Sequence, residues 1–346
     1  MCNKFNCNVS NSDYTILEDK TATGKKRDWK GKKEKSTLMS EHYKALEKRT
    51  GAPYYGKKAE NLCNCAECLA FRRDKATGRL RLYQAYFCKV RLCAMCAWRR
   101  SLKIAHHNKL IVEEANRQYN PAWIFLTLTV KNVEGDDLKQ TISDMMKGFN
   151  KLMKYKKVSS VVLGYFRALE ITKNHAQNTY HPHFHVLIPV KKSYFRGQSY
   201  IKQAEWTSLW KRAMKLDYTP IVHVQRVKGK KSIDAEAIEK EVREAMEEQK
   251  AILEISKYPV KDTDVIRGNE VTDENLETVY YLDDALASRR LIGYGGILKE
   301  IHQELNLTDA EDGDLIRIEE DDDEIANDAF EVMAHWHVGI KNYIIN

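Results

Sequence analysis

The chain has 346 residues, of which 43% are hydrophobic, so it is long enough to bury one large or two ordinary domain cores. No run approaches the roughly 20 apolar residues that a membrane span needs, and the N-terminus lacks a signal-peptide pattern. We therefore expect a cytoplasmic protein with no membrane partner, whose cysteines are reduced thiols or metal ligands. A net charge of +8, with a basic run at 25–35 and an acidic run at 309–324, favours a polyanionic partner.

The hydrophobic pattern of the chain predicts strands and helices that follow an N-terminal arm. Residues 1–40 lack periodicity and are predicted to form a flexible arm, and a short helix is expected within 41–60. The predicted strands are 123–130, 161–172, 181–190 and 221–227. The predicted helices are 98–119, 136–156, 200–215, 234–258 and most of 272–305. This order favours an α+β fold around a mostly antiparallel sheet.

A cysteine-rich block spans 63–96. Its spacing is Cys63-x-Cys65-x2-Cys68, then Cys88-x4-Cys93-x2-Cys96. Two short-spaced sets of thiols can close one tetrahedral zinc site, which would be structural because no coordination position stays open for water. Six cysteines exceed the four ligands required, so the spacing leaves the ligand set open. A redox role for the last pair is the alternative, and it requires a strand–helix setting with one activated thiol.

The pair His183 and His185 indicates a catalytic metal site. Because side chains alternate along a strand, both imidazoles face one side while Phe184 packs behind them. Glu170 faces them if its strand and theirs pair as a hairpin. A carboxylate and two imidazoles, with positions open for substrate oxygens, suit Mg²⁺ or Mn²⁺. His181 is open to three roles, as a ligand, as a group that orients a ligand or as a DNA contact, and the alternative for the pair is the solvent-facing side of an edge strand.

Glu254 and Tyr258 are spaced i,i+4 at the end of the helix predicted at 234–258, so they lie on one helical face. A tyrosine is a poor nucleophile unless its proton is removed or its anion is stabilised, and Lys257 and a metal ion would both favour the phenolate. The neighbouring carboxylate could act as a general base in a second step. On spacing alone, an amphipathic tyrosine at a helix end is the simpler interpretation, because the chain has 18 tyrosines.

Taken together, the motifs resemble those of the replication initiator proteins of rolling-circle plasmids, within the HUH endonuclease superfamily. The shared motifs are Phe125-Leu-Thr-Leu-Thr129, His181-Pro-His-Phe-His-Val-Leu187 and Glu254-Ile-Ser-Lys-Tyr258, and they occur in the family's order. The closest branch also carries a motif similar to Phe87-Cys-Lys-Val-Arg-Leu-Cys-Ala-Met-Cys-Ala-Trp-Arg-Arg-Ser101. Ala94 departs from the proline that is usual there, which should alter a turn without removing a ligand.

The resemblance implies an HUH endonuclease fold, in which helices flank a central antiparallel β-sheet, with an N-terminal zinc-binding module. It covers roughly residues 60–300. The expected division has four parts. A basic flexible arm is expected at 1–60, and a zinc- and DNA-binding module at 61–118. The endonuclease domain is expected at 119–305, and an acidic C-terminal region at 306–346.

The resemblance also implies roles for individual residues. His183, His185 and Glu170 would hold catalytic Mg²⁺ or Mn²⁺. Tyr258 would nick one DNA strand and become linked to its 5′ phosphate, and Glu254 would activate water at termination. The implied ligands of a structural Zn²⁺ are Cys65, Cys88, Cys93 and Cys96, with Cys63 and Cys68 as further candidates. The candidate DNA contacts are Arg91, Arg99, Arg100, Lys257 and His181.

The implied partners are plasmid origin DNA, as a hairpin or single-stranded nick site, and a host helicase and polymerase. The chain has no GxxxxGK[ST] motif, so unwinding must come from the host. A homodimer is left open. A transposase or relaxase would share the chemistry, but relaxases normally carry a third histidine and a nucleophile near the N-terminus. A zinc-stabilised DNA-binding regulator without catalysis would leave the linked metal and tyrosine motifs unexplained.

Overall fold

The chain folds into two antiparallel sheets with helices beside them. The computed structural model describes residues 14–21, 24–196, 198–227, 252, 265–318 and 329–345. Its helices are α1 (Trp29–Thr50), α2 (Pro53–Asn64), α3 (Ala94–Tyr119), α4 (Gly135–Lys154), α5 (Lys156–Ser159), α6 (Gln203–Met214), α7 (Asp273–Leu286) and α8 (Ile297–Glu304). Its strands are β1 (Thr15–Ile16), β2 (Cys68–Asp74), β3 (Leu80–Ala85), β4 (Ala122–Thr129), β5 (Gly164–Asn174), β6 (Thr179–Val190), β7 (Val222–Val227), β8 (Ile292–Gly296), β9 (Ala329–His337) and β10 (Asn342–Ile345). Within these ranges, no helix has a stretch long and apolar enough to cross a membrane.

The contacts divide the chain into two units, and the second takes its residues from 104–264 and 284–311. Its sheet has the strand order β7-β4-β6-β5-β8, and all neighbours are antiparallel. The structure confirms the four strands that were predicted from β-branched and aromatic runs. They are β4, β5, β6 and β7, and their ends differ from the predicted ends by a few residues. The α+β class with antiparallel sheets is therefore also confirmed.

The two faces of this sheet have different neighbours. Phe184 and Trp210 of α6 lie 6.4 Å apart, and Phe184 lies 5.6 Å from Phe149 of α4, so α4 and α6 cover one face. On the other face, Phe166 and Ala168 pack with residues of α3 and α8 in a second apolar cluster. Since alternate residues of a strand face opposite sides, His183 and His185 extend from this second face.

The first unit takes its residues from 1–103, 265–283 and 312–346. Its sheet has the order β1-β10-β9-β2-β3, again with antiparallel neighbours. Helices α1 and α2 lie in the same unit, and α7 joins them through Asp283. The Asp283 carboxylate accepts hydrogen bonds from Tyr43 of α1 at 2.5 Å and from Lys58 of α2 at 2.6 Å.

Two predicted elements differ from the structure, and one region without a predicted element contains strands. The helix expected within 41–60 begins at Trp29, inside the segment predicted to be a flexible arm. The glycine-rich part of 272–305, predicted to interrupt a helix, forms strand β8. Gly164 of β5 lies opposite Gly296, and a Cβ at Gly164 would lie 2.6 Å from the carbonyl oxygen of Gly295, so the close approach of these strands requires glycine there. The acidic C-terminal region also supplies strands, β9 and β10.

Candidate metal centres

Glu170, His183 and His185 meet on one face of the second unit's sheet. In the antiparallel pairing of β5 and β6, Glu170 lies opposite His183, and Ala168 lies opposite His185. Glu170 Oε2 is 3.0 Å from His185 Nε2 and 3.6 Å from His183 Nε2. The candidate ligand atoms of the three residues all lie within 4.8 Å of one another. The predicted hairpin therefore forms, and it brings the carboxylate to the two imidazoles.

Each imidazole is held through its Nδ1 atom, which leaves Nε2 facing the centre of the cluster. His185 Nδ1 lies 3.2 Å from Thr127 Oγ1 on β4, and His183 Nδ1 lies 3.1 Å from the backbone carbonyl of His181. The carbonyl can only accept, so His183 Nδ1 donates to it, and the neutral form of this ring keeps its lone pair on Nε2. The Thr127 hydroxyl can donate or accept, so it orients the His185 ring without selecting a tautomer. The motifs did not predict Thr127 as a site residue. The available signal was its alternation in β4, which places it directly opposite His185.

The electrostatics of Glu170 keep it ionised. The residue is 6% exposed, and burial raises its pKa. Hydrogen bonds and charge from His183 and His185 outweigh burial, so they hold the pKa of Glu170 well below the ordinary carboxyl value. One carboxylate and two imidazoles form a donor set that fits a divalent cation, with coordination positions left for water or phosphate oxygens.

The remaining predicted residues of the catalytic site do not belong to the Glu170, His183 and His185 group in the described part of the chain. His181 lies opposite Thr172 and stacks on His183 with ring centroids 5.1 Å apart, but it is outside the three-residue group. Burial and the neighbouring His183 lower the pKa of His181. Its ring and its backbone carbonyl both contact His183, and its contact with DNA stays a prediction. The predicted residues Glu254, Lys257 and Tyr258 lie outside the described residues.

The second cluster of candidate ligands lies in the first unit and contains the four cysteines that the resemblance implied. The cluster consists of Cys65, Cys88, Cys93 and Cys96. The Sγ–Sγ distances are 3.6 Å for Cys65–Cys96 and for Cys93–Cys65, and 3.7 Å for Cys88–Cys96. Four thiolates around one zinc ion, each about 2.3 Å from it, would have sulfur atoms about 3.8 Å apart. The cluster therefore has the size of a tetrahedral thiolate site.

The other two cysteines of the block lie outside this cluster. Cys68 contacts His335 of β9, with Sγ 3.0 Å from Nδ1. Cys63 is not in the four-residue group, and its backbone carbonyl accepts a hydrogen bond from Lys33. The ligand set that the spacing left open is thereby narrowed to the four clustered thiols.

Backbone amides and polar side chains surround the four sulfur atoms. The backbone N–H of Lys89 donates to Cys96 Sγ at 3.3 Å, and Ser36 Oγ lies 3.3 Å from Cys93 Sγ. Lys33 is 1% exposed and donates to the backbone carbonyls of Cys63 and Cys65 at 2.6 and 2.8 Å. The motifs did not predict Lys33 or Ser36, because both belong to α1, far from the cysteines in sequence. Nothing in the local pattern of α1 signals this contact.

The thiols have strongly perturbed acidities. Burial, followed by hydrogen bonding with the neighbouring thiols, raises the pKa of Cys65. Burial also raises the pKa of Cys93, but hydrogen bonds from the other thiols and Ser36 outweigh it and bring the pKa below the ordinary thiol value. Negative charge in such a cluster requires a cation, so the four soft sulfur donors fit zinc in a closed structural site.

The predicted DNA contacts beside the cysteines are engaged within the protein. Arg99 is 3% exposed and donates to the backbone carbonyls of residues 315 and 316. Arg100 is fully buried and donates to the carbonyls of Lys89 and Val90, in the turn between the cysteines. Arg91 forms a 3.6 Å ion pair with Asp312. Arg99 and Arg100 therefore act in this structure as supports of the cysteine turn and the 312–318 segment, because buried guanidinium groups cannot reach DNA phosphates.

Sequence comparisons relate the chain to replication proteins. The family model described as Replication protein matches residues 79–344. A relative named Protein rep from Bacillus amyloliquefaciens is 76% identical over 336 residues, covering 97% of this chain and 99% of the relative. Another from Lactiplantibacillus plantarum is 41% identical, covering 95% and 99%. A third from Streptococcus pneumoniae serotype 2 is 38% identical, covering 95% of each chain. No solved structure matches the chain.

The family match includes β4, β5 and β6, which carry the Glu170 centre, and three of the four clustered cysteines. It spans well over half of the chain, and the relatives align along nearly their whole lengths. The resemblance predicted from the motifs is thus confirmed: this chain belongs to the family of replication proteins, as a plasmid replication initiator.

Proposed function

We propose that this initiator is a metal-dependent, site-specific DNA endonuclease and strand transferase of the HUH type, which nicks the plasmid origin to start rolling-circle replication. The observation that carries the proposal is the meeting of Glu170, His183 and His185 on one sheet face. The neighbouring part of that face is already packed by an apolar cluster. The three polar side chains are therefore not needed to fill the core there, which argues against a purely structural role for them.

The residues of the sheet would position the phosphate. Glu170, His183 and His185 would hold Mg²⁺ or Mn²⁺, which when bound supplies charge stabilisation and polarises a phosphate oxygen. Thr127 and the carbonyl of His181 keep the imidazoles oriented before any substrate arrives. Such preorganisation lowers the cost of placing a scissile phosphate for in-line attack.

Tyr258 would be the nucleophile, as the family motif implies. Its hydroxyl oxygen would form a bond to phosphorus as the bond between phosphorus and the 3′ oxygen breaks. The phenol would release its proton to water, and the leaving 3′ oxygen would take up a proton from water. The products are a 5′-phosphotyrosyl linkage and a free 3′ hydroxyl, from which a host polymerase extends. At termination, Glu254 would accept a proton from water, and the water oxygen would attack the phosphodiester at which the displaced strand is cut.

The cysteine centre would have a structural part in this function. With four thiol donors it leaves no coordination position for a substrate. Zinc there would fix the turn at Lys89 and the start of α3, whose first residue is Ala94. The proposal is therefore one catalytic divalent cation and one structural zinc ion.

The direct test uses single-stranded DNA containing the origin nick site, with and without Mn²⁺. We expect a protein–DNA adduct that resists denaturant, forms with Mn²⁺ and is absent from the His185→Asn variant. The Tyr258→Phe variant should also form no adduct. A full yield of adduct from Tyr258→Phe would show that another residue is the nucleophile, and a yield independent of metal and of His185 would overturn the proposed centre.

A further inference from the structure

One strongly basic surface in the described part of the chain, outside the two candidate metal centres, is the hairpin of β2 and β3, residues 68–85, which we call the basic hairpin. Residues 72–81 contain five basic side chains and one carboxylate. Four of the basic residues are exposed, namely Arg72, Arg73, Lys75 and Arg79. The fifth, Arg81, is partly buried. Arg72 and Arg73 lie on β2, Lys75 and Arg79 lie in the turn, and Arg81 lies on β3, the edge strand of this sheet among the described residues.

The single carboxylate of this segment, Asp74, is used by the turn itself. Its Oδ1 atom accepts hydrogen bonds from the backbone N–H of Thr77 at 2.6 Å and from the Thr77 hydroxyl at 2.7 Å. These bonds lower the pKa of Asp74. Gly78 completes the turn with a φ of 70°. The turn therefore holds Lys75 and Arg79 in fixed positions at the tip of the hairpin.

The strand pairing places like charges together. Arg72 and Arg81 lie directly opposite each other across β2 and β3, an arrangement that destabilises a sheet. Glu331 of β9 lies opposite Arg72 on the other side and offsets part of this repulsion. A polyanion that contacts both guanidinium groups would reduce the repulsion between them.

The aromatic side chains of the hairpin argue against base stacking. Phe71 is buried. The Arg72 guanidinium lies over the ring of Tyr83 at 5.3 Å, and the hydroxyl of Tyr83 is hydrogen-bonded to Glu331. Binding of single strands depends on open aromatic faces, whereas binding of a duplex through its backbone depends on cations. In the hairpin, Phe71 is buried and the Arg72 guanidinium covers one face of Tyr83, so its exposed groups are mainly cations.

We infer that the basic hairpin binds the phosphate backbone of duplex DNA. That the duplex is origin DNA flanking the nick site rests on the proposed function, but the phosphate binding does not. The hairpin would supply affinity and a fixed position on the duplex without reading bases. The initiator would then have a duplex-binding surface in its first unit, separate in sequence and chemistry from the metal centre of the second.

A charge-neutralised variant tests this inference. Arg73→Gln, Lys75→Gln and Arg79→Gln are combined, and binding to a fluorescent random-sequence DNA duplex is measured without divalent cation across a salt series. The matched control removes the same charge from α4 through Lys147→Gln, Lys151→Gln and Lys154→Gln, all exposed residues of a helix that covers the opposite sheet face from the metal ligands.

The hairpin variant should bind duplex about tenfold more weakly or worse, and the slope of log affinity against log salt should fall by about 2–3. The control should stay within about twofold of the unmodified protein. Equal losses in the two variants would reduce the effect to bulk charge and overturn the inference. An equal loss for single-stranded and duplex DNA would also overturn it, since the hairpin would then belong to the single-strand path.

Protection of Lys75 from acetylation gives a readout that needs no variant. Duplex DNA should protect Lys75, measured by mass spectrometry, and leave Lys147 and Lys151 reactive. Unchanged reactivity of Lys75 in saturating duplex would contradict the inference. Because neither measurement requires cleavage, the hairpin inference and the nicking proposal can fail independently.

Discussion

At the scale of single residues, the metal centre depends on contacts to both sides of each imidazole. Nε2 of His183 and of His185 faces Glu170, while each Nδ1 is held by Thr127 or by a backbone carbonyl. The strand pattern made His183, His185 and Glu170 predictable, since one face and one hairpin register place them together. The contact of Thr127 depends on the register of a third strand, which the pattern of β6 alone does not determine.

Loss of one ligand should weaken metal binding far more than loss of His181. We expect Glu170→Gln to lower the affinity for Mn²⁺ by at least about 100-fold, because the variant removes the one anionic donor. His181→Asn should change it by less than about tenfold, since the carbonyl that orients His183 remains. Titration calorimetry with Mn²⁺ measures both variants. If His181→Asn weakens binding as much as Glu170→Gln, His181 is itself a ligand.

The buried Lys33 should stabilise the cysteine turn through two carbonyl hydrogen bonds. Lys33→Met leaves those carbonyls without their donor, and we expect a loss of about 2 kcal/mol in the free energy of unfolding. Lys35→Met, two residues along α1 at an exposed position, is the matched control and should change stability by less than about 0.5 kcal/mol. Denaturant unfolding with zinc present compares them, and equal stabilities would refute the role of Lys33.

At the scale of elements, the differences between predicted and observed structure have physical causes. The buried side of α1 includes Lys33, Ser36, Ser40 and His42, so its hydrophobic periodicity is broken although the helix is well packed. Polar residues that pair with distant carbonyls cannot be recognised from local spacing. In contrast, α4 has a regular apolar face, and its prediction from periodicity is confirmed.

The glycine-rich strand β8 escaped prediction for a related reason. Glycine has low intrinsic strand propensity, so Gly293, Gly295 and Gly296 read as a break in a helix. Their strand conformation comes from pairing with β5, which only the folded sheet provides. Predictions from local propensity are therefore correct where the packing follows the sequence pattern. They are wrong where pairing with a distant strand determines the conformation.

The cysteine cluster joins the end of α2 to the start of α3, and its metal should stabilise the first unit. Cys93→Ser removes one of four ligands, so the zinc content should fall from about one ion per chain and the melting temperature should drop. Cys68→Ser is the control, because Cys68 contacts His335 and lies outside the cluster. It should keep its zinc, as measured by elemental analysis. A full zinc content in Cys93→Ser would exclude this ligand set.

At the scale of the whole molecule, each unit carries one centre with different donor chemistry. The first has four sulfur donors and no open position, and the second has oxygen and nitrogen donors with positions left for substrate. In the function that we propose, the first centre would support the fold and the second would act on DNA. The motifs predicted both centres, but they did not predict the engagement of Arg99 and Arg100 inside the protein.

The proposed termination step predicts a separation of nicking from release. The Glu254→Ala variant should still form the covalent adduct with single-stranded origin DNA, but the adduct should accumulate because no carboxylate activates water. Time courses of adduct and free product measure the effect, with Glu254→Gln as a variant that keeps the size of the side chain. Normal release from both variants would refute the role of Glu254.

The central claim is that a tyrosine at position 258 attacks the origin phosphate beside the Glu170 centre. Its most direct test is to digest the protein–DNA adduct formed with Mn²⁺ and to identify the nucleotide-bearing residue by mass spectrometry. We expect the nucleotide to be linked through its 5′ phosphate to Tyr258, among the 18 tyrosines of the chain. A linkage to any other residue, or no covalent adduct at all, would contradict it.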